Sequence, residues 1–182
     1  MSRVGIYGGT FDPIHSGHLH VITQLFEKDL VDQLVVVPAG QPLLRDSQPV
    51  ATPEQRRTMC ELALSTLPDH LREKVSVDPI ETLHQGPSYA IDTVETVQSN
   101  HPDSQIFLIM GADAFAKIDQ WHRSDELRAM VSIICINRPG YASQGIDIAA
   151  LEVAATTIRQ GLSADVPEIV AAFIRENALY DN

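Results

Sequence analysis

The sequence predicts an α/β fold, a Rossmann-like, doubly wound parallel sheet with helices on both faces. Three observations carry this. Short apolar runs rich in β-branched residues recur at 4–7, 34–37, 75–77, 106–110 and 131–136. Each is continuous rather than alternating, the pattern of strands buried on both faces. Between them lie segments of helical periodicity at 18–28, 53–67, 89–100, 113–118 and 125–130. Alternation with crossovers of this length gives a parallel sheet whose ligands sit at the carboxyl ends of the strands.

The elements follow in order. The first strand runs directly into Gly8-Gly9, and the first helix begins a few residues later. After the second strand, residues 40–51 lack pattern and read as a surface loop. Thr52 before Pro53, with Glu54 and Gln55 in the first turn, marks a helix start with proline at the first helical position. The third strand, the helix 89–100, the fourth strand, the shorter helix pair and the fifth strand come next, followed by a second unpatterned loop at 138–145. Asp165-Val166-Pro167-Glu168 opens a last amphipathic helix, with Ile169, Val170, Phe173 and Ile174 spaced to face a core. The expectation is one domain over 1–182 with a small C-terminal helical element at about 156–180.

Composition narrows the function. Hydrophobic residues are 44% and charged residues 20%, a globular balance that argues against disorder. Thirteen Lys plus Arg stand against 24 Asp plus Glu, a formal charge of −11, the wrong sign for binding nucleic acid through its phosphates. An anionic small ligand needs a local exception, for which Arg45, Arg56, Arg57, Arg138 and Arg159 would have to converge. Cys60 and Cys135 sit in apolar surroundings and read as buried thiols in a reducing compartment. The start reaches Gly8-Gly9 and Asp12 too early for a signal-peptide core. No apolar stretch approaches the roughly 18 to 20 residues that span a bilayer. A cytoplasmic protein without a membrane partner is expected.

The most informative stretch is Gly8-Gly9-Thr10-Phe11-Asp12-Pro13-Ile14-His15-Ser16-Gly17-His18, between the first strand and the first helix. Paired glycines let backbone approach a ligand, and helix N-terminal amides favour phosphate. His15 and His18 stand three apart, so both imidazoles can reach one anion. Two other readings stay open: a metal pair, for which no third ligand is evident, or two surface residues. Neither Gly-x-Gly-x-x-Gly after a strand nor Gly-x-x-x-x-Gly-Lys-Ser/Thr occurs, which argues against an NAD-dependent dehydrogenase and a P-loop NTPase. His20, about 200° round the helix from His18, is expected at the surface.

This stretch resembles the Gly-x-Phe-x-Pro-x-His-x-Gly-His signature of the nucleotidyltransferase superfamily, at Gly9, Phe11, Pro13, His15, Gly17 and His18. Over nearly its whole length the chain looks like the bacterial nicotinate mononucleotide adenylyltransferases. That likeness rests on Gln55-Arg56-Arg57-Thr58-Met59, Pro87-Ser88-Tyr89 with Asp92-Thr93, Gly111-Ala112-Asp113-Ala114-Phe115 with Trp121-His122, Arg138-Pro139-Gly140-Tyr141, Thr156-Thr157-Ile158-Arg159 and the closing Leu179-Tyr180. The resemblance implies a nucleotidyltransferase-type fold. It further implies an enzyme that joins ATP and nicotinate mononucleotide into nicotinate adenine dinucleotide and pyrophosphate, a step of NAD biosynthesis.

By the same resemblance, His15 and His18 are catalytic. Gly8, Gly9, Thr10, Phe11, Arg45, Gly111, Asp113, Thr156, Ile158 and Arg159 bind ATP and its phosphates. Tyr89, Trp121 and Arg138 bind the mononucleotide. Mg2+ accompanies ATP with no protein side chain as its ligand, and a homo-oligomer is left open. Read by position alone, Asp113 fits a helix N-cap equally well, Trp121 fits packing, and Arg138 fits a solvated side chain. The family's Ser-Tyr-Thr is here Ser88-Tyr89-Ala90, without the hydroxyl that helps hold the nicotinate carboxylate. Its Pro-Pro-His-Lys/Arg loop is Pro42-Leu43-Leu44-Arg45, and its Ile-Ser-Ser-Thr run is Val153-Ala154-Ala155-Thr156. The alternatives are an adenylyltransferase using nicotinamide mononucleotide or phosphopantetheine, and a non-catalytic nucleotide-binding relative.

Overall fold

The computed structural model of the chain describes residues 1–42, 48–137 and 145–180. All five apolar runs are strands: β1 (Ser2–Gly9), β2 (Gln33–Pro38), β3 (Val75–Val77), β4 (Ser104–Gly111) and β5 (Ser132–Ile136). They form one parallel sheet in the order β3-β2-β1-β4-β5. Between and after them run α1 (Ser16–Glu27), α2 (Pro53–Leu64), α3 (Asp69–Arg72), α4 (Ile80–Leu83), α5 (Ala90–Asn100), α6 (Ala112–Phe115), a 3-10 turn (Ile118–Gln120), α7 (Ser124–Met130), α8 (Ala155–Arg159) and α9 (Glu168–Glu176). The chain winds outward from β1 to β3, then returns to β4 on the other side of β1. Winding therefore reverses between β1 and β4, and the loops after these strands open a crevice there.

Alternation along the strands divides the apolar residues between two faces. Tyr7, Leu34, Val36, Ile109 and Ile134 pack with Val21, Ile22 and Leu25 of α1, Met59, Cys60 and Ala63 of α2, and Val170 of α9. Val4, Ile6, Val35, Val37, Ile106 and Leu108 face the other way, under Ile91, Val94 and Val97 of α5 and Leu127 of α7. Leu25, Ile91, Val94 and Leu127 are all fully buried, each stabilising the fold by roughly 1.5–3 kcal/mol through lost apolar exposure. Helices thus cover both faces of the sheet.

The helix start read at Thr52 is realised as a reciprocal cap. Thr52 Oγ1 accepts from the Gln55 amide at 3.2 Å, and the Thr52 amide donates to Gln55 Oε1 at 2.9 Å. Elsewhere the boundaries move. α2 stops at Leu64, and α1 begins at Ser16, two residues before its apolar periodicity, because its N-cap is a histidine. α3 and α4 are four residues each, too short to leave a periodic signal. Ile169 is 43% exposed, against the expectation that it faces the core, while Val170 is fully buried. Neighbouring helical residues diverge by about 100°, which leaves Ile169 at the edge of the stripe set by Val170, Phe173 and Ile174. His20 is not a surface residue: its Nε2 lies 2.7 Å from the Ile148 carbonyl and ties α1 to that segment. Cys60 and Cys135 are free and buried, and burial pushes both thiols up. Among the described residues no helix is long and apolar enough to cross a membrane.

Candidate active site

The loop after β1 is shaped by glycine on one side and an aromatic cluster on the other. Gly8 is exposed, and a Cβ built on it meets nothing within 4 Å. At Gly9 a Cβ would lie 2.8 Å from the Phe11 ring, so a larger residue there would displace that ring. Phe11 adopts φ 50°, uncommon for a bulky residue and found where surrounding structure over-determines the backbone. Its ring is 3% exposed and meets Tyr7 and His18 edge-on, at 5.6 and 4.9 Å between centroids. The Phe11 side chain is thus a prop for His18 inside the core, and only its main chain faces the loop.

His15 and His18 are the N-cap and third residues of α1. The His15 amide donates to His18 Nδ1 at 3.1 Å, the place a glutamate would take in a capping box. An accepting Nδ1 assigns the proton of the neutral ring to Nε2. The two rings stack with centroids 3.7 Å apart. Gly17 makes room for this, since a Cβ there would stand 3.0 Å from the His15 ring. His15 is buried at 6% exposure and His18 is half-buried. The metal reading of the pair lacks a third donor: among the described residues no three His, Cys, Asp or Glu side chains are grouped to hold an ion.

The C-terminal element closes on the same loop. Ser16 donates its amide and its hydroxyl to the Asp165 carbonyl, at 2.8 and 3.0 Å. Arg159 donates through Nη1 to the Asp12 carbonyl at 2.6 Å and through Nη2 to Thr156 Oγ1 at 3.3 Å. The expected phosphate-binding pair thus stands beside the β1 loop. Ile158 does not present itself there, being buried and with its amide bonded to the Ala154 carbonyl. The Asp12 carboxylate, 3% exposed, accepts from the Val50 amide at 2.9 Å, the Ala51 amide at 3.1 Å and the Tyr180 hydroxyl at 2.7 Å. Burial, and next the bond to Asp12, push the Tyr180 phenol up, so the hydroxyl stays a donor.

Among the described residues, Arg56 and Arg57 do not join Arg159 in presenting charge to the loop. Arg56 is 1% exposed and bonded to main-chain carbonyls behind the loop. Arg57 pairs with Glu61 at 3.6 Å. Arg45 and Arg138 lie outside the described residues. Arg159 is the member of the set placed at the loop among the described residues.

Across the crevice, Gly111 ends β4 and caps α6. Asp113 is the second residue of α6 and so is not its N-cap. It lies close enough to Cys135 to add to the effect of burial on that thiol. Tyr89 is the N-cap of α5, and its ring lies 4.3 Å from that of His122. Tyr89, Ala90 and Trp121 pack on the same core face, so the described members of the expected mononucleotide site are gathered at one end of α5. Trp121 also lines a cleft of about 500 Å³ with Asp119, Arg123 and Ser124. A cavity of about 560 Å³ runs along β5 past Ile133 and Cys135, away from the histidines.

Asp12 and Tyr180 are not among the site residues expected from sequence, and Arg56, expected as a cation facing the ligand, is instead a buried brace for main-chain carbonyls. Arg56 did leave a signal, since it is in phase with Met59, Cys60 and Ala63 on the buried side of α2. A charged residue on an apolar stripe is a candidate for internal hydrogen bonding.

Residues 6–175 match the family model described as cytidylyltransferase-like. A protein of Bacillus pumilus named "Probable nicotinate-nucleotide adenylyltransferase" is 32% identical, with all of both chains covered. The "Nicotinate-nucleotide adenylyltransferase" of Bacillus subtilis strain 168 is 29% identical, again with full coverage of both. Among solved structures, Plasmodium falciparum nicotinic acid mononucleotide adenylyltransferase complexed with NaAD superposes with a TM-score of 0.83 at 19% identity, covering 100% of this chain and 98% of that one. The same parasite protein complexed with APC gives 0.79 at 20% identity. At such identity the likeness is one of fold.

Proposed function

The chain belongs to the cytidylyltransferase-like family and, within it, to the nicotinate-nucleotide adenylyltransferases, and on that premise we propose that it transfers AMP from ATP to nicotinate mononucleotide and releases pyrophosphate. The observation that carries the reading is the locked His15–His18 pair at the head of α1, beside the open backbone of Gly8 and beside Arg159. The reaction places a phosphate oxygen of the mononucleotide in line with the α-phosphorus of ATP. A P–O bond forms there as the bond to pyrophosphate breaks, so positioning and charge stabilisation do most of the catalysis.

In this reading the triphosphate lies along Gly8, Gly9 and Thr10 toward the positive end of the α1 dipole. His18 donates Nε2–H to the phosphoryl group as charge develops, supported by His15, while Arg159 and Thr156 hold the leaving phosphates. Gly111 and Asp113 take the ribose side of ATP. Tyr89 and Trp121 receive the pyridine nucleotide; Arg45, expected at the ATP phosphates, and Arg138, expected at the mononucleotide, lie outside the described residues. Magnesium would ride on the triphosphate. The described residues offer it no grouped protein ligands, and both Asp12 oxygens are already hydrogen-bonded. The two buried free thiols suit a cytoplasmic setting.

Pyrophosphate release measured in parallel with nicotinate mononucleotide, nicotinamide mononucleotide, phosphopantetheine and no acceptor tests this reading. Preference for the nicotinate substrate is expected. Preference for another acceptor moves the substrate, and no release with any acceptor overturns the enzyme reading. Two variants sharpen the assignment. Gly8→Ala is expected to leave the thermal midpoint unchanged or slightly raised, since its Cβ meets nothing and the unfolded chain loses freedom. ATP titration should nonetheless show weakened binding, because the new methyl occupies the space over which the triphosphate would lie.

Ala90 is the first residue of α5, where early amides have no helical partner and can hold a carboxylate. Ala90→Thr adds a hydroxyl beside them. It should increase discrimination for the nicotinate over the nicotinamide mononucleotide by roughly 0.5–3 kcal/mol, the range of one hydrogen bond. An unchanged ratio of the two kcat/KM values would count against that placement.

A further inference from the structure

We infer that Tyr180 is a positioning residue for nucleotide binding: by donating to Asp12 it keeps that carboxylate from capturing Arg159. The inference rests on the ATP-binding reading of the β1 loop and extends it to a residue outside that loop. Asp12 is a buried carboxylate, and buried charge must be paired or hydrogen-bonded. It has three donors at 2.7–3.1 Å, namely the Val50 and Ala51 amides and the Tyr180 hydroxyl. Arg159 Nη1 stops at 3.9 Å from Oδ2. That same Nη1 instead donates to the Asp12 main-chain carbonyl at 2.6 Å. Arg159 is thus held beside the carboxylate without closing on it, in an arrangement that leaves it 20% exposed.

The C-terminal segment is built to deliver this hydroxyl. Leu179 is buried, and its amide closes the end of α9 on the Ile174 carbonyl at 3.0 Å. Tyr180 takes φ 65°, a conformation bulky residues adopt only where the surroundings enforce it. Without the hydroxyl, Asp12 would keep two amide bonds and one unsatisfied lone-pair direction. A charge-assisted bond from a guanidinium less than 4 Å away is the available replacement. With Oδ1 left only the Ala51 amide, the carboxylate carries more uncompensated charge, and Arg159, already 3.9 Å from Oδ2, would be drawn onto it and away from the phosphate side.

The test is magnesium-ATP binding to the full chain by titration calorimetry, for wild type, Tyr180→Phe, Arg159→Ala and the double variant. Tyr180→Phe keeps the ring and is expected to fold with the wild-type circular dichroism spectrum while binding ATP about ten-fold more weakly, the effect of one hydrogen bond to a charged group. In the Arg159→Ala background the same change should cost nothing further, because the residue through which it acts is gone. Wild-type affinity in Tyr180→Phe overturns the inference. So does an additive loss in the double variant, which would mean action independent of Arg159, or a Tyr180→Phe chain that fails to fold, which would make the hydroxyl structural. Wild-type protein that binds no ATP would instead remove the functional reading on which the inference stands.

Discussion

His18→Ala lowers kcat for pyrophosphate release by about 10²- to 10³-fold, the effect of removing one preorganised donor aimed at developing charge. The structure allows a clean attribution because the two duties of the ring use different nitrogens. Nδ1 accepts the His15 amide at 3.1 Å and so serves the helix cap. Nε2 then carries the proton and, in the proposed reaction, donates it as a hydrogen bond to the phosphoryl group. Alanine removes both, so a loss of about 1 kcal/mol in stability from the missing cap is expected beside the kinetic loss. His18→Asn separates them, since its carbonyl can accept the His15 amide but its amide group falls short of the Nε2 position. Stability should recover in the asparagine variant while kcat stays as low as in alanine. The KM for ATP should change far less than kcat, because the interaction grows as charge develops. Wild-type kcat in either variant would remove His18 from the reaction.

Why the histidines were legible in sequence and their supports were not follows from what each depends on. Apolar runs such as 34–37 and 106–110 announce strands buried on both faces because continuity itself is the signal. Gly8-Gly9 followed by two histidines at a helix start announces an anion site because these residue types have few other reasons to stand there together. Asp12 gave no such signal. Its partners are the amides of Val50 and Ala51 and a hydroxyl at Tyr180, contacts 38, 39 and 168 residues away that exist only once the sheet is wound. Ile158 and Phe11 mark the opposite limit. Both are expected from sequence to bind the nucleotide, yet their side chains are buried at 8% and 3% exposure. A motif records that a position matters and not whether it touches the ligand or holds up a neighbour that does.

Arg56→Met is expected to destabilise the protein by on the order of 4 kcal/mol, since one buried and three partly buried carbonyls lose their donor and each costs about 1–3 kcal/mol. Arg56 bridges segments that sequence alone would not connect. Nε reaches the Ala51 carbonyl at 3.2 Å, Nη1 the carbonyls of Thr10 at 2.8 Å and Ala39 at 2.5 Å, and Nη2 that of Gly40 at 2.9 Å. It thereby joins the ends of β1 and β2 to the start of α2. Methionine fills similar volume, so the loss reads the guanidinium rather than a cavity.

For a chain of this size the thermal midpoint shifts by roughly 2–4 °C per kcal/mol, a fall on the order of 10 °C, readable by calorimetry or urea titration. Activity should fall with it, because Thr10 belongs to the loop on which the triphosphate is proposed to lie. Arg56→Lys should recover little: a single ammonium cannot reach three separate segments from one point, whereas the planar fork can. The change also reaches Glu81, a half-buried carboxyl that burial pushes up, the Thr93 hydroxyl at 2.7 Å lowers, and the charge of Arg56 lowers further. Removing that charge lets Glu81 keep its proton to higher pH. A wild-type midpoint in Arg56→Met would mean that water replaces the guanidinium at all four carbonyls, and the brace would then be dispensable.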